Sequence, residues 1–426
     1  MPRNATVILL LTCLSLLAST PLPGADPKAG SDWPTWRGPQ RNGICLETGL
    51  LQDWTQQGPP LVWQAEGLGS GYSSIAVAAG RIYTMGRRRR PQSGTFLIAL
   101  DSSTGRELWS TPCGQGNPNC TPSVGNGMVY ALGREGTLLC VNARTGKQVW
   151  STHFAREFGG KMMSGWGYSE SPLLDGDRLI CTPGAKTAAI AALNSKTGNT
   201  IWTTSISDLG SRGKDGAGYS SIVVSQGGGV RQYVQMTGRG IISVAADSGK
   251  LLWNYNRIAN GTANIPTPVI SGDYVFCSTG YGTGSALLKI QPAAKGIEEV
   301  YFLGSKELQN HHGGMILVDD YLYCGHGHNK GLPLCIELKT GKSQWGPKRG
   351  LGSGSAAILY ADGHLYFRYE NGVVALIEAT PDSYRPKGEF RMATNNGKSW
   401  PHPVIHNGKL YLRDQDALLC YNVRAR

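Results

Sequence analysis

A short phrase that ends in tryptophan recurs along this chain and constrains its fold more than any other feature. Each copy has a polar stretch, a Thr-Gly or Ser-Gly turn and a strand that ends on an indole ring. A repeat of about 40 to 50 residues indicates a propeller or a solenoid. The copies lie 41, 52, 51 and 92 residues apart, the last gap being about two periods, and they end at Trp109, Trp150, Trp202, Trp253 and Trp345.

Two apolar strands joined by a tight turn precede the phrase, and counting these pairs gives eight units. Their turns carry Gly-Arg, Asn-Gly, Asp-Gly or Asp-Asp, residues that tolerate positive φ. A third strand and the Trp-bearing fourth complete each unit, which is typical of a propeller blade. The sequence therefore predicts an all-β, eight-bladed β-propeller of four-stranded antiparallel blades. The strand pairs begin at Ile75, Pro122, Pro172, Ser221, Pro268, Gly314, Ala356 and Pro403.

The indole rings are expected to fill the gaps between neighbouring blades, where full burial contributes roughly 2–3 kcal/mol per ring. The glycine after each threonine is expected at positive φ. Blades five and seven lack the tryptophan and carry Tyr301 and Phe390 near that place. Blade eight ends at Arg426 after three strands, so residues 60–64 are predicted to pair with residues near 416–423. That pairing closes the ring and removes its open edges.

The first 25 residues have the pattern of a secretory signal: a basic start, an apolar run over residues 5–18 and small residues near Gly24. We therefore expect Gram-negative-type export to the periplasm or the medium. Cys13 raises the alternative of a lipid anchor, although Thr12 stands where a smaller residue is usual. Peripheral membrane association stays open on that ground. Residues 26–59 form an N-terminal extension, residues 60–426 form the propeller, and we expect a monomer.

The chain is basic, with a net charge of +12 at pH 7, and its densest run is Arg87–Arg90. We interpret that run as a solvated loop, since no helix or motif of a nucleic-acid-binding domain frames it. Nine cysteines remain beyond the signal segment, and Cys113 and Cys120 are the best local candidates for a disulfide. Cysteines at equivalent repeat positions are expected to be buried thiols, namely Cys140, Cys335 and Cys420.

The Thr-Gly-x-x-x-Trp phrase resembles the blade signature of the quinoprotein-type propeller family, named for pyrroloquinoline quinone (PQQ). The segment Asp32–Gly43, DWPTWRGPQRNG, is similar to the opening segment of secreted bacterial members, and the resemblance extends to Arg426. It implies one of two activities: a PQQ-dependent alcohol or sugar dehydrogenase, or a cofactor-free scaffold like the outer-membrane assembly lipoprotein. Many alcohol-oxidising members carry a disulfide between adjacent cysteines, a Trp floor under the quinone, calcium held by Glu and Asn, and an Asp base. This chain has no adjacent cysteines and no insert that would cap a quinone.

The loops that enter the first strand of each blade are expected to surround one mouth of the central channel, the default ligand site of a propeller. Their aromatic and polar side chains could bind a sugar, a quinone or a peptide end, with Trp166 or Trp400 stacked on a flat ligand. An alternative is that Gly-Tyr-Ser-Ser is a structural turn whose tyrosine packs between blades. The candidate ligand-binding residues are Tyr72, Trp166, Tyr168, Glu170, Tyr219, Trp400 and His402.

Four histidines flank one hairpin of blade six. His311 and His312 precede its first strand, His326 and His328 end its second, and antiparallel pairing sets position 311 near 328. Imidazoles this close could bind a divalent metal such as zinc or copper. They could also form a proton-responsive pair or be exposed loop residues.

These patterns favour an exported binding or scaffold module without catalytic activity, with a protein or polysaccharide partner at one face and no nucleic acid. The alternative is a PQQ-dependent alcohol or sugar dehydrogenase. A metal-dependent activity at the histidines is a third interpretation. No hydrolase elbow, zinc-protease helix or phosphate loop occurs in a usable context.

Overall fold

The computed structural model describes residues 32–89 and 92–425, together with Met1. Its strands form eight separate sheets arranged as a β-propeller, so the predicted eight-bladed, all-β fold is confirmed. Apart from Met1, the expected signal segment and Cys13 lie outside the described residues. Within the described residues, no helix is both long enough and apolar enough to cross a membrane.

The first half of the described chain holds two leading strands, four blades and one short helix. The leading strands are β1 (Ile44–Cys45) and β2 (Leu61–Ala65). Blade one contains β3 (Ala76–Ala78), β4 (Arg81–Arg88), β5 (Gly94–Asp101) and β6 (Glu107–Pro112). Blade two contains β7 (Ser123–Gly125), β8 (Met128–Leu132), β9 (Thr137–Asn142) and β10 (Gln148–His153), followed by α1 (Phe154–Phe158). Blade three contains β11 (Leu173–Asp175), β12 (Arg178–Cys181), β13 (Ala191–Asn194) and β14 (Thr200–Thr203). Blade four contains β15 (Val223–Ser225), β16 (Gln232–Thr237), β17 (Gly240–Ala245) and β18 (Leu251–Tyr255), with a 3-10 turn at Gly227–Gly229.

The second half holds the remaining four blades. Blade five contains β19 (Val269–Ser271), β20 (Tyr274–Thr279), β21 (Gly284–Ile290) and β22 (Ile297–Gly304), with a 3-10 turn at Pro292–Ala294. Blade six contains β23 (Asn310–Val318), β24 (Tyr321–His326), β25 (Leu332–Glu337) and β26 (Ser343–Trp345). Blade seven contains β27 (Ala356–Ala361), β28 (His364–Tyr369), β29 (Val373–Glu378) and β30 (Pro386–Arg391), and β1 joins it parallel to β27. Blade eight contains β31 (Val404–His406), β32 (Lys409–Asp414) and β33 (Ala417–Asn422).

The ring closes as predicted, because β2 supplies the outer strand of blade eight. Leu61 pairs with Tyr421 and Ala65 with Leu418 in an antiparallel register. Phe390 of blade seven lies against Tyr421, with ring centroids 5.0 Å apart, and against Trp54 of the N-terminal extension. The strand β2 near the N-terminus and the last strand, β33, are thereby held in one sheet.

The recurring phrases supply contacts between consecutive blades, in which the glycine of one blade packs against the aromatic ring of the blade before it. In blade two, the Asn142 side chain accepts hydrogen bonds from the amides of Arg144 and Thr145, and this turn leaves Gly146 at φ +70°. A Cβ added at Gly146 would lie 2.6 Å from the ring of Trp109 in blade one, so only glycine lets the indole pack there. The expected positive φ and the wedging of indoles between blades are therefore confirmed. An aromatic ring packs against a phrase glycine in the same way at four other places: Trp63 on Gly105, Trp150 on Gly198, Trp202 on Gly249 and Tyr301 on Gly341.

The nine described cysteines are free thiols and all of them are buried, as expected for the equivalent repeat positions. Cys113 and Cys120, the local candidates for a disulfide, are both free thiols in this structure. The Cys120 thiol donates instead to the Thr121 carbonyl at 3.2 Å and accepts from the Leu132 amide at 3.4 Å. Burial raises the pKa of this thiol to about 12, which keeps it protonated.

Candidate functional site

A cavity of about 310 Å³ opens at the channel mouth surrounded by the loops that enter the innermost strands. Its location agrees with the face predicted from the order of strands within a blade. Eight of the predicted site residues line it, brought together from five different blades: Tyr72, Trp166, Tyr219, His311, His312, His328, Trp400 and His402.

Three predicted site residues do not line the cavity. Tyr168 turns into the core, where its ring packs edge-on against Phe154 at 5.2 Å and its hydroxyl donates to the Pro183 carbonyl at 2.9 Å. Its role matches the alternative of a structural tyrosine. Glu170 is 2% exposed and is buried behind the wall. His326 is also buried, and its Nδ1 accepts from the Gln309 amide at 3.3 Å.

Glu170 organises a buried polar group between blades three and four. Its carboxyl accepts from the Thr182 amide at 2.7 Å and from the Thr182 hydroxyl at 2.9 Å. The Gln235 side chain donates to the Thr182 hydroxyl at 2.9 Å. Burial raises the pKa of Glu170 to about 8, against the opposing effects of these bonds and of Arg41. Glu170 therefore stabilises the wall rather than contacting a ligand.

A ring of hydroxyl side chains lines the cavity on the side of blades one to five. Four of the five hydroxyl oxygens accept a hydrogen bond from the backbone amide at the matching position of the preceding blade. The fifth hydroxyl, that of Ser74, donates to the His402 carbonyl at 2.7 Å. The Ser171 amide, for example, donates to Ser221 at 3.0 Å, and the Ser221 amide donates to Thr267 at 3.0 Å. These hydrogen bonds occupy lone pairs of the hydroxyl oxygens, so the O–H groups of Thr121, Ser171, Ser221 and Thr267 stay available as donors to a ligand. The ring consists of Ser74, Thr121, Ser171, Ser221 and Thr267.

Aromatic rings from the entering loops cover another part of the wall. Tyr72 and Trp400 stack with their ring centroids 4.4 Å apart and their planes 21° apart. His312 lies 4.9 Å from Trp400, and Trp166 stands edge-on to it at 6.4 Å. Trp166 is 53% exposed, so its ring is open to a ligand, whereas one face of Trp400 is already covered by Tyr72.

The histidines form a neutral cluster. The rings of His311 and His328 lie 4.2 Å apart, although the hairpin register shifts between Asn310 and Met315, so that Asn310 pairs with His326. His311 bonds through Nδ1 to the Ser355 hydroxyl at 2.8 Å and through Nε2 to the Tyr281 hydroxyl at 3.2 Å. Burial, with a smaller effect of His328 and Lys398, lowers the pKa of His311 to about 3. Burial also lowers the pKa of His402 to about 3, so both imidazoles are neutral at neutral pH and can donate and accept.

The histidines do not form a metal-binding arrangement in the part of the chain that the structure describes. There, no group of three or more His, Cys, Asp or Glu side chains is placed to hold a metal ion. His326 faces away from the cavity, and the ring nitrogens of His312 are both buried without a partner. Metal binding by His311, His312, His326 and His328 stays a prediction that this geometry does not support.

Trp36 also lines the cavity, although the repeat pattern does not mark it as a site residue. Trp36 belongs to the N-terminal extension, outside the repeats, and no repeat position points to it. Its ring lies edge-on to His402 at 5.2 Å, and the Arg37 guanidinium lies 5.5 Å from its centroid. The signal available in the sequence is the Trp-Pro-Thr-Trp-Arg phrase itself, rich in aromatic side chains although it forms no blade.

Buried arginines surround the channel below the cavity. Arg37 and Arg41 bond to backbone carbonyls, and Arg368 and Arg413 link blades seven, eight and one in the same way. Burial lowers the pKa of Arg37 and of Arg368 to about 10, so both stay charged at neutral pH. The nearest carboxylate of this group is Asp414, 4.0 Å from Arg368. The cavity therefore adjoins a positively charged interior.

Comparison with known proteins assigns the family. The family model described as outer membrane protein assembly factor BamB matches residues 94–346, more than half of the chain. The chain belongs to this PQQ-like β-propeller family. The BamB proteins of Salmonella typhimurium and Escherichia coli are each 31% identical to it, over 107 and 106 residues. These matches span 23% of this chain and 26% of the curated relatives, about a quarter of their length.

Solved structures of both kinds of propeller superpose on this chain. BamB from Moraxella catarrhalis gives a TM-score of 0.61 at 13% identity, over 85% of this chain and 99% of that one. The quinohemoprotein alcohol dehydrogenase of Comamonas testosteroni gives 0.63 at 13% identity, over 94% of this chain and 82% of that one. A likeness at these identities shows the shared fold alone.

Proposed function

We propose that this protein is an exported, non-catalytic binding module that holds one ring of a sugar unit in the cavity. The observation that carries the proposal is the composition of the cavity wall. Aromatic rings and a series of hydroxyl groups line the same cavity, and a sugar ring offers an apolar face to the first and hydroxyl groups to the second. A polysaccharide that presents such a unit is then the partner at this face.

The two kinds of wall have complementary roles. Trp166, half-exposed, supplies a plane for the apolar face of the ring. The hydroxyls of Thr121, Ser171, Ser221 and Thr267 supply donors at fixed positions, because backbone amides of the preceding blades bond to their oxygens. The imidazoles of His311 and His402 add uncharged surface to the wall, because both ring nitrogens of His311 bond to hydroxyl groups and the His402 Nε2 donates to the His312 carbonyl at 3.3 Å.

The same wall offers little for chemical catalysis. Glu370 is the one carboxylate among the residues that line the cavity. The imidazoles of His311 and His402 have pKa values lowered to about 3 by burial, which makes them weak bases at neutral pH. Binding, rather than proton transfer, is the activity that this arrangement supports.

The proposal is tested by titrating the protein with methyl glucoside, methyl glucuronide and triacetylchitotriose, with binding measured by calorimetry. At least one of these sugars is expected to bind saturably, and Trp166→Ala should weaken it about tenfold. Leu108→Ala, a change at an exposed residue of the outer strand β6, is the matched control and should bind as the wild type does. Absence of saturable binding across the panel contradicts the proposal.

A quinone oxidoreductase is the second candidate, favoured by the family. Calcium, which accompanies the quinone in many alcohol-oxidising members, requires six to eight oxygen ligands. Of the cavity-lining amides, Asn329 accepts from the Ser355 hydroxyl, and the Asn119 nitrogen donates to two backbone carbonyls of the loop before blade three. The Asn119 oxygen in the loop before blade two and the Glu370 carboxylate of blade seven are then the amide and carboxylate groups left for calcium, fewer oxygens than it requires. These residues do not fit the calcium-assisted arrangement. A dye-linked oxidation assay with added quinone, calcium and an alcohol is expected to show no turnover.

A protein partner is the third candidate, supported by the matched family, which is described as an outer membrane protein assembly factor. This interpretation uses the fold as a scaffold and needs no occupant in the cavity. Trp166→Ala then leaves function in cells unchanged, whereas the sugar-binding proposal predicts its loss.

A further inference from the structure

The N-terminal segment Trp33–Cys45 contacts the innermost strands from opposite sides of the channel. Trp33 pairs with Val77 of β3, and the Pro34 carbonyl accepts from the Val124 amide of β7 at 2.7 Å. On the other side of the ring, the Gly43 carbonyl accepts from Tyr360 of β27 at 2.9 Å. A segment held in this way crosses the channel from blade one to blade seven.

Two buried guanidinium groups anchor the segment at its centre. Arg37 donates to the Met315 carbonyl of β23, and Arg41 donates to the carbonyls of Ser171 and Pro172, which enter β11. Both side chains are more than nine-tenths buried. Charged side chains are costly to bury unless their donors are satisfied, so these bonds set the position of the segment strongly.

Glycines let the segment fit so closely. A Cβ at Gly38 would lie 2.8 Å from the Trp33 ring, and a Cβ at Gly43 would lie 2.6 Å from Ile316 of β23. Both residues have positive φ, at +81° and +78°. The segment thus turns back on itself within the channel and presents Trp36 to the cavity.

We infer that residues 33–45 form an internal plug that closes the axial channel and makes Trp36 the floor of the binding site. The cavity is therefore blind, and a ligand enters and leaves through the face of the entering loops. Trp36 contacts the ligand, whereas Arg37 and Arg41 are positioning residues that hold the plug. The ligand contact rests on the proposed sugar-binding function, but closure of the channel does not.

Hydrogen exchange measured by mass spectrometry tests the closure without a ligand. The double variant Arg37→Ala/Arg41→Ala is expected to exchange faster over residues 33–45 and in the inner strands β3, β7 and β11. The outer strands β6 and β10 should exchange at the wild-type rate. Gln52→Ala is the matched control, because Gln52 follows the plug and bonds to Leu50 and Asp362 instead of channel residues. Unchanged exchange in the inner strands of the double variant overturns the plug.

Calorimetry with the same three sugars tests the contact by Trp36. Trp36→Ala is expected to retain wild-type hydrogen exchange and to weaken sugar binding about tenfold, and Trp36→Phe to recover part of it. Full-strength binding by Trp36→Ala contradicts the floor role while the cavity function stands. If no sugar binds the wild type, the proposed function fails and the exchange pattern alone decides the plug. If the double variant does not fold, the exchange experiment is made on the single variants Arg37→Ala and Arg41→Ala, and unchanged exchange in the inner strands of both overturns the plug.

Discussion

Blades one to five and blades six to eight place different chemistry at the same position of the repeat. Five residues before the first hairpin turn, blades one to five carry the hydroxyl ring, while Gly314, Ala357 and His402 stand there in blades six to eight. In the first region, the hydroxyls of blades two to five each accept the backbone amide of the preceding blade, and the Ser74 hydroxyl of blade one donates to the His402 carbonyl. In the second region, imidazoles and buried arginines occupy the space. One fold repeat therefore builds a cavity with two unlike walls.

The difference shows how a repeat protein acquires a site. The Trp and Gly of each phrase maintain the contact between blades in both regions, as Trp202 with Gly249 and Tyr301 with Gly341 show. The inner position has no part in that contact, so it varies without loss of the ring. The predictions below alter one wall at a time, from the largest expected effect to the smallest.

The largest effect is expected in the second region, at Arg368. Arg368→Leu removes the guanidinium that bonds to Ser399 and to the Arg413 carbonyl, and it leaves Asp414 buried without a cation beside it. The free energy of unfolding should fall by about 3–5 kcal/mol. Chemical denaturation followed by circular dichroism measures it, with exposed Arg89→Ala as the control. A loss below about 1 kcal/mol would show that the buried pair contributes little to stability.

The first region should respond less to a single substitution. Ser221→Ala leaves the buried Ser171 amide without its acceptor, at a cost of about 1–3 kcal/mol in the free energy of unfolding. Ser221→Thr keeps an acceptor oxygen and should restore most of the stability. The same denaturation experiment checks both variants. Equal stability of Ser221→Ala and the wild type would show that the ring is not needed for the fold.

The two regions should also differ in how their stability changes with pH, and in the first region it should fall as pH rises. The pKa of Glu170 is raised to about 8, so the fold retains a proton that the unfolded chain loses above about 4.5. Stability from this group is complete at low pH and falls as pH rises from about 4.5 to about 8, by at most about 1.4 kcal/mol per pH unit. Glu170→Gln should flatten this part of the curve, measured as unfolding free energy against pH. An unchanged slope in Glu170→Gln contradicts the assignment.

Acid should act on the second region in the opposite sense. The pKa of His402 is lowered to about 3, so the unfolded chain binds a proton that the fold excludes. Stability from this group is complete above about 6.5 and falls as pH drops toward about 3, again by at most about 1.4 kcal/mol per pH unit. His402→Gln should reduce the slope in that window and leave the alkaline limb unaltered. His311, with a similarly lowered pKa, should add to the effect.

Repetition explains which features the sequence predicts. The turn and Trp signals locate the blades, so the closing pairing of Leu61 with Tyr421 and the meeting of Tyr72, Trp166 and Trp400 follow from register alone. Tyr168 and Glu170 share a loop with Trp166, but local packing against Phe154 and Thr182 turns them inward. The repeat pattern cannot predict which side chains of one loop point into the cavity and which point into the core.

Neither the plug nor the hydroxyl ring is predicted from the sequence, and the reasons differ. Trp36 and Arg37 belong to a segment that occurs once, and their positions depend on distant backbone carbonyls such as that of Met315. The hydroxyl ring has a signal in the sequence, a Ser or Thr two residues before the innermost strand in five successive blades. It emerges only when the blades are aligned on their turns.

The measurement that tests the central claim most directly is a crystal structure of the protein soaked with the sugar of the panel that binds it most tightly. The account predicts one sugar ring in the cavity, with a face against Trp36 or Trp166 and its oxygens within hydrogen-bond distance of Ser171 or Ser221. Sugar bound elsewhere on the propeller, with the cavity filled by solvent, would contradict it.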